Sequence, residues 1–588
     1  MSADSLCAID LGTCNSTIAV YLHEQIQCIA ESVSNTIIPS IVAFNSGDIA
    51  CGSAAKAQSF GSSTQVYREV KFIKGRQFKD IKNYRRSCWP FELLGKSGVK
   101  PEDDNTFPQM ISFGIDENRK RSIVGYAYPA LVDALLLSYM TSIASRRVGT
   151  KITKAVITVP ALFTESQIYS TLEAAEMAGL EVIQIVPEPC AAAIRYTEHS
   201  FHYVLIFDFG GGTLDTTLME YRKGQFRILS THGNIDLGGR RIDQLILNRI
   251  CEFAESQGGF IDKTSRTYQR LLNEAELMKI RLSSVNEVMI NFGEYFTTDN
   301  GEPLRYEYTL RREMLNEWIG GLLSQCIEAC ESCLEKEHVT LGREDAIVLT
   351  GGSSHIPAIY DLLKDKYKDV SIRRGVNPQT VVAEGACMMA LHAIQLRVPI
   401  VPDFSLGLNT MYTAIYSFGK QANVLVRDDT LHTVITHCQI QVPSGEKYMF
   451  LWQIVEDEDK PVYIGYVDVG DVSGREWRVD VSFTKQSLME LKDVDKNEVV
   501  RIQYACRIPK QDREKFRVLN GFLCNVRKAI SRLESLDDYP QKEKVLSRLK
   551  QLREIAAKYM FKNLGEEHYE YINREMIPRL EEYHELYE

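Results

Sequence analysis

The clearest hydrophobic pattern in the chain is a short apolar run that leads into a polar, glycine-rich turn. Residues 203–207 are apolar, Asp208 follows them, and three glycines stand at 210–212 ahead of Thr213 and Asp215. The pattern predicts a buried strand, a tight turn and a second strand. Consecutive glycines let the backbone approach a ligand closely because no Cβ intervenes. The stretch therefore indicates either a phosphate-binding turn or an ordinary hairpin between core strands.

A second stretch near the N-terminus repeats this order and favours the first interpretation. An apolar run ends at Asp10, and Gly12, Thr13, Cys14 and Asn15 form the turn that follows it. The N–H groups of such turns suit an anion, and a nearby aspartate commonly acts through a metal ion. Two equivalent turns predict two similar halves that close on one ligand. No Walker-type loop occurs.

Alternating strand and helix patterns fill the sequence between and after these turns. A helix is predicted from Pro129 to Arg147, a strand over 154–159, and a helix from Thr164 to Ala178. The next strand, over 182–187, places Glu188 at its end. This alternation indicates α/β architecture. A third glycine turn, with Gly351, Gly352 and Ser353, follows another apolar run and is expected to contact a sugar or base.

The pattern changes beyond residue 395. Residues 396–403 contain two prolines and are predicted to be a linker after a first domain at 1–395. Residues 404–510 show short alternating strands, which are typical of a β-sandwich. From residue 511 to 588 apolar residues recur every three or four positions, so the sequence predicts a small helical bundle with a charged exterior.

Length and composition limit the function classes. A chain of 588 residues with a formal charge of −10 should form several domains, and it shows no basic stripe for nucleic acid. No apolar run is long enough to cross a membrane, and the first residues do not resemble a secretory signal. The 14 cysteines are therefore expected to be reduced in the cytoplasm. Cys326, Cys330 and Cys333 fit a buried helix face better than a zinc site.

Together these motifs resemble the heat-shock protein 70 chaperone family over roughly the first 395 residues. The resemblance implies an actin-like ATPase fold with two ribonuclease-H-like halves, followed by a β-sandwich domain and a helical lid. The later part of the chain resembles the family only at residues 404–407 and in its order of β and then helical patterns. The motifs that carry the resemblance are residues 9–13, 89–91, 156–161, 188–194, 207–213, 237–239 and 348–353.

The resemblance also implies the site residues. Asp10 and Asp208 would hold a hydrated Mg²⁺, and Lys71 and Glu188 would flank the γ-phosphate and orient water, with Asp208 or Thr213 assisting proton removal. This arrangement suits phosphoryl transfer, which depends mainly on positioning and charge neutralisation. The implied ATP-binding residues are Gly12, Thr13, Cys14, Asn15, Gly210, Gly211, Gly212, Thr213, Glu276, Lys279, Ser283, Gly351, Gly352, Ser353 and His355.

Base recognition departs from the family pattern. Ile280 and His355 stand where two arginines would stack on adenine, and Gln379 replaces an aspartate. Cys14 and Cys190 replace threonines. We therefore expect intact phosphate chemistry with altered base recognition.

The expected function is an ATP-dependent chaperone that gates the binding of extended polypeptides. J-domain co-chaperones and nucleotide-exchange factors are implied partners, and neither nucleic acid nor membrane is expected to bind. A non-hydrolysing regulatory member and a sugar kinase are the alternatives. Because of the two linker prolines, and because Ile168 occupies a position where the family has a relaying arginine, weak coupling between ATP and peptide is predicted.

Overall fold

A computed structural model describes most of the chain. The described residues are 5–32, 35–44, 48–58, 65–81, 91, 93–94, 109–115, 121–196, 201–222, 225–234, 236–263, 265–373, 377–393, 413–418, 421–426, 436–454, 461–536, 538–560 and 570–587. The predicted linker at 396–403 and the motif residues Trp89, Pro90 and 404–407 lie outside these ranges.

The described strands and helices alternate through the first two thirds of the chain. The strands are β1 Leu6–Asp10, β2 Asn15–Leu22, β3 Gln25–Cys28, β4 Ile38–Pro39, β5 Ile41–Phe44, β6 Ile49–Cys51, β7 Gln65–Arg68, β8 Leu93–Leu94, β9 Gln109–Ile115, β10 Arg121–Ala127, β11 Lys154–Val159, β12 Glu181–Pro187, β13 Tyr203–Phe209, β14 Leu214–Arg222, β15 Gln225–Asn234, β16 Glu287–Asn291, β17 Glu307–Arg311, β18 Ala346–Thr350, β19 Ser371–Arg373, β20 Thr413–Phe418, β21 Gln421–Val426, β22 Thr436–Gln441, β23 Tyr448–Ile454, β24 Val462–Asp468, β25 Glu476–Phe483, β26 Met489–Asp493, β27 Glu498–Val500 and β28 Gln503–Tyr504. The helices are α1 Gly52–Gln58, α2 Pro129–Val148, α3 Glu165–Met177, α4 Glu188–Ile194, α5 Gly239–Ser256, α6 Arg266–Leu282, α7 Arg312–Trp318, α8 Gly320–Lys336, α9 Pro357–Lys366, α10 Val381–Ala393, α11 Lys510–Ser535, α12 Lys542–Met560 and a last short helix Ile577–Glu581.

Two sheets with the same strand order form the centre of this region. The first runs β12-β11-β1-β2-β3 with β4 beside β2, and the second runs β19-β18-β13-β14-β15. In each sheet the first strand of the chain pairs antiparallel with the next one and parallel with a strand that returns after a crossover. The sheets therefore repeat one topology, as the two glycine turns suggest. We call residues 5–196, which contain the first of these sheets, the first lobe, and residues 201–373, which contain the second, the second lobe.

Local signals in the sequence account for the helices that flank the first sheet. Pro129 is the first residue of α2, where its missing N–H costs no hydrogen bond, and Gly149 ends the helix with φ 82°. Thr164 and Gln167 form a capping box at the start of α3. Glu188, which the sequence places at the end of a strand, is the first residue of α4.

The described strands after residue 412 form two facing sheets. One runs β21-β20-β23-β24-β28 and the other β22-β25-β26-β27. Met449 and Leu451 from the first sheet pack against Val479 and Leu491 from the second in one apolar cluster. This two-sheet arrangement has the form of a β-sandwich, and we call it the β-module.

The sequence alone suggested that the C-terminal helices form a small bundle with a charged exterior. In the structure these helices also bury apolar residues against the first lobe. The apolar face of α11 belongs to the same buried cluster as residues of β1 and α2. Asn520 of α11 donates to the Ser138 hydroxyl of α2 over 2.6 Å. Amphipathic periodicity shows that a helix buries one face, but it does not specify the partner. The members that α11 contributes are Phe516, Leu519, Phe522, Leu523, Val526, Ala529, Ile530 and Leu533.

The start of α3 connects the first lobe to the β-module. The Glu165 N–H donates to the Gln453 side chain over 2.8 Å, and the Glu165 carboxylate accepts from the Met489 N–H over 2.8 Å. Tyr169 stacks on Tyr504 with 4.1 Å between ring centroids. None of the described helices is long and apolar enough to pass through a membrane.

Candidate nucleotide site

A cavity of about 470 Å³ lies between the two lobes and contains most of the predicted phosphate-binding residues. Residues of both glycine turns line the cavity, and each turn connects the first two strands of its sheet. The predicted residues that line the cavity are Asp10, Gly12, Thr13, Cys14, Asn15, Lys71, Glu188, Asp208, Gly210, Gly211, Gly212, Thr213, Gly351, Gly352 and Gln379.

The two turns contact one another across the cleft, which explains why glycine is needed in the second turn. A Cβ on Gly211 would lie 2.5 Å from the Cys14 Sγ of the first turn, and one on Gly212 would lie 2.7 Å from Phe72. Both distances are too short for non-bonded atoms. The two turns therefore line the same space.

Lys71 and Glu188 form a buried ion pair in the cavity wall. The Lys71 Nζ lies 2.7 Å from the Glu188 Oε1, and both side chains are nearly inaccessible. Burial lowers the pKa of Lys71, but the charges of Glu188 and Asp10 more than offset this, so the pKa lies above its usual value. The lysine therefore remains a cation at neutral pH.

Asp10 and Asp208 are partly buried carboxylates near the ends of equivalent strands. Burial and the charge of Glu188 raise the pKa of Asp10 to about 7, although the Thr158 hydroxyl donates to its Oδ1 over 3.2 Å. Burial and the charges of Glu188, Asp215 and Asp10 raise the pKa of Asp208 well above its usual value. Carboxylates crowded in this way are stabilised by a cation.

The geometry fits a hydrated divalent ion. Within the described residues, no three acidic, cysteine or histidine side chains converge closely enough to hold a metal directly. Asp10 and Asp208 both line the cavity, and Mg²⁺ typically retains several waters while one or two carboxylates hold it. The donor set therefore suits Mg²⁺ bound through water beside a polyphosphate.

Other predicted contact residues lie outside the cavity wall. Lys279 is buried with its Nζ 2.7 Å from the Asp243 Oδ1, and Glu276 pairs with Lys56 of the first lobe over 2.7 Å. The Ser353 hydroxyl donates to the Gly210 carbonyl over 2.8 Å, and Ser283 donates to the Lys279 carbonyl. Ile280 and His355 are exposed.

The structure also adds residues that sequence reasoning did not identify. Phe163 and Gln167 line the cavity, and the Thr213 hydroxyl donates to the Asp215 Oδ2 over 2.9 Å. Arg240 of the second lobe pairs with Glu69 of the first lobe. Phe163 and Gln167 follow the predicted strand at 154–159, so their proximity to the turns could have been foreseen. The pairing of Arg240 with Glu69 could not have been foreseen from the sequence.

A model of the Hsp70 protein family matches residues 6–442, which is most of the chain. The chain belongs to the Hsp70 family. The glycine turns and the carboxylates of this Hsp70 chain all lie within the matched region, and the C-terminal helices lie beyond it.

Curated relatives of the Hsp70 chain are chaperones. The chaperone protein DnaK of Cyanidium caldarium is 31% identical over 76% of this chain and 71% of its own length. A ribosome-associated molecular chaperone of Eremothecium gossypii is 32% identical over 65% of this chain and 60% of its own length. The DnaK of Thermus thermophilus is 33% identical over 65% of this chain and 60% of its own length.

Proposed function

We propose that this Hsp70 protein is a molecular chaperone that binds and hydrolyses ATP with Mg²⁺ to gate the binding and release of extended polypeptide segments. The observation that carries the proposal is one cavity lined by both glycine turns, by Asp10 and Asp208, and by the Lys71–Glu188 pair. That combination supplies anion contacts, a cation site and a buried ammonium group. Phosphoryl transfer needs these three features.

Each residue would have a distinct task. The turns at residues 12–15 and 210–213 would bind the phosphates, while Asp10 and Asp208 would hold the hydrated ion. Mg²⁺ supplies charge neutralisation on the phosphates when it is bound. Lys71 stabilises negative charge on the γ-phosphate, and Glu188 orients the attacking water. Asp208 or Thr213 would assist in removing the proton of that water.

The domain assignment is part of the proposal. Residues 1–395 form an actin-like ATPase domain, 396–403 a linker, 404–510 the substrate-binding domain and 511–588 a lid-like helical domain. The repeated strand order of the two lobes supports the actin-like assignment, and the two facing sheets support the substrate domain.

The partners and compartment follow from the same assignment. Clients are unfolded or extended polypeptides, with J-domain proteins and nucleotide-exchange factors as co-chaperones. The described cysteines are all free thiols, which suits a reducing cytoplasm.

Single-turnover ATP hydrolysis, measured with and without an extended apolar peptide, tests the function. We expect slow turnover that the peptide accelerates, with no added acceptor. Binding without turnover would instead favour a regulatory member of the family. Phosphate transfer only in the presence of a sugar would favour a kinase.

A further inference from the structure

A second buried lysine follows Lys71 in the same turn and is not explained by nucleotide binding. The Lys74 side chain is 1% exposed, and its Nζ lies 2.8 Å from the Oδ2 of Asp133 in α2. Neither residue is among those that line the cavity. Any effect of the pair on the site must therefore pass through other residues.

Stability alone does not account for the pair. Replacing a buried ion pair by apolar side chains of similar volume often leaves a protein equally or more stable, because desolvation offsets the attraction. Burial lowers the pKa of Lys74, and Asp133 restores only part of the loss. A methionine could fill the same space without this cost. Core stability is therefore a weak explanation for the two charges.

The contacts of the turn that carries Lys71 indicate a role for the pair in positioning that turn. Val70–Phe72 form a 3₁₀ turn that carries Lys71, and the Lys74 N–H closes it by donating to the Val70 carbonyl over 3.1 Å. The ammonium groups of Lys71 and Lys74 each lie 5.7 Å from the centroid of the Phe163 ring. Both cations of the turn thus contact one aromatic ring.

The following residue holds the other side of the turn. Gly75 has φ 66°, and a Cβ there would lie 2.5 Å from the Ser166 carbonyl of α3. The turn is therefore packed against the start of α3, while Lys74 attaches it to α2 through Asp133. These contacts leave the Lys71 segment with little freedom to shift.

We propose that Lys74 and Asp133 are a positioning pair that holds the Lys71 turn between α2 and α3, so that the Lys71 ammonium stays on Glu188 and aimed at the γ-phosphate. This inference rests on the proposed function, since the role of Lys71 is part of it. The pair does not touch the nucleotide. Its effect is on the rate of the chemical step.

The test is a double variant, Lys74→Met with Asp133→Leu, which removes both charges and leaves no unpaired ion. We expect it to fold, to bind Mg²⁺·ATP within about twofold of the unmodified protein, and to hydrolyse it at least about tenfold more slowly in a single turnover. The matched control is Lys366→Met with Glu331→Leu, a partly exposed ion pair between α9 and α8, and it should leave the rate unchanged. A double variant with reduced stability and an unchanged rate would show a purely structural role.

Two further measurements keep the inference separate from the proposed function. If the double variant does not fold, Lys74→Met with Asp133→Asn removes both charges and the hydrogen bond between them while keeping the size of each side chain, and an unchanged rate in that variant contradicts the inference. If the unmodified protein itself does not turn over ATP, the proposed function fails, and crystal structures decide the inference. A Lys71–Glu188 contact that persists at the same distance in the variant overturns it, whereas a displaced Lys71 supports it.

Discussion

Asp208 combines two properties that make its substitution informative. Its carboxylate lines the cavity, and burial among other acidic groups raises its pKa, so its charge is unfavourable without a cation. Asp208→Asn should therefore preserve folding while removing one of the two charges that hold Mg²⁺. We expect single-turnover hydrolysis to fall by orders of magnitude, measured beside the exposed control Asp361→Asn. Undiminished turnover in a folded Asp208→Asn protein would show that the Asp208 charge is not needed for hydrolysis.

Base recognition at Ile280 and His355 can be tested by restoring charge. Each arginine that stacks on a base contributes about 1 kcal/mol. Ile280→Arg with His355→Arg should therefore tighten ATP binding by about tenfold or more and improve discrimination against GTP, as measured by calorimetry. The paired control is Val285→Arg with Met289→Arg, which adds the same charge at other exposed positions of the second lobe. If both pairs tighten binding equally, only the added charge matters and the stacking model is wrong.

For single residues, the sequence was sufficient to identify those whose type is required by the chemistry of the site. The glycines and aspartates of the two turns could be found because a tight turn and a carboxylate at a strand end are local features. The Lys74–Asp133 pair could not be found, because its two residues lie 59 positions apart and only the packing of α2 joins them. The pairing of Lys279 with Asp243 was missed for the same reason.

Among the elements, α3 touches the nucleotide cavity, the β-module and α11. Its Glu173 accepts from the Ile508 N–H over 3.2 Å and lies 3.5 Å from Arg513 of α11. Burial raises the pKa of Glu173 to about 7, although the Ile508 N–H and Arg513 act in the opposite direction and Glu176 adds to the rise. The interface between α3 and α11 therefore favours a protonated Glu173.

This shift has a definite sign. A carboxyl whose pKa is raised on folding destabilises the folded state once it ionises, so stability should fall as pH rises from about 4.5 through 7. We expect Glu173→Gln to raise the melting temperature at pH 8 relative to the unmodified protein, with a smaller difference at pH 6. Calorimetry at both values tests this. A variant that is destabilised more at pH 8 than at pH 6 would show that the charge of Glu173 is favourable.

The sequence predicted α3 and α11 within a few residues but not their association. Thr164 and Gln167 mark the start of α3, and the apolar positions of α11 repeat regularly, so local signals were sufficient for both helices. The apolar face of α11 could pack on any complementary surface. The three-dimensional placement of α2 and α3 together selects the first lobe as its partner.

For the whole molecule, coupling between ATP and peptide is predicted to be weak. The prolines at 399 and 402 cannot donate ladder hydrogen bonds, and Ile168 lacks a charged group. We expect ATP to change peptide affinity by a coupling free energy at or below about 1–3 kcal/mol. Trp452 adjoins Gln453, which contacts α3, and Trp477 is buried within the β-module. The fluorescence of these two residues therefore reports docking of the β-module on the first lobe.

Replacing Trp477 by Phe leaves Trp452 as the reporter in the β-module and serves as the control for that measurement. A large ATP-induced fluorescence change together with a loss of peptide affinity of about tenfold or more would contradict weak coupling. The contacts of α3 with Gln453, Met489 and Tyr504 would then be sufficient to transmit the signal without help from the linker.

The shared core of the first lobe and α11 also has a consequence during synthesis on the ribosome. Ser138 and Asn520, which join α2 to α11, are 382 residues apart. At typical translation rates, α2 would be complete for about 20 to 80 s before α11 emerges. Throughout that interval the nascent lobe presents an uncovered apolar surface. A protein that belongs to a family of chaperones would therefore itself need protection from aggregation while it is being made.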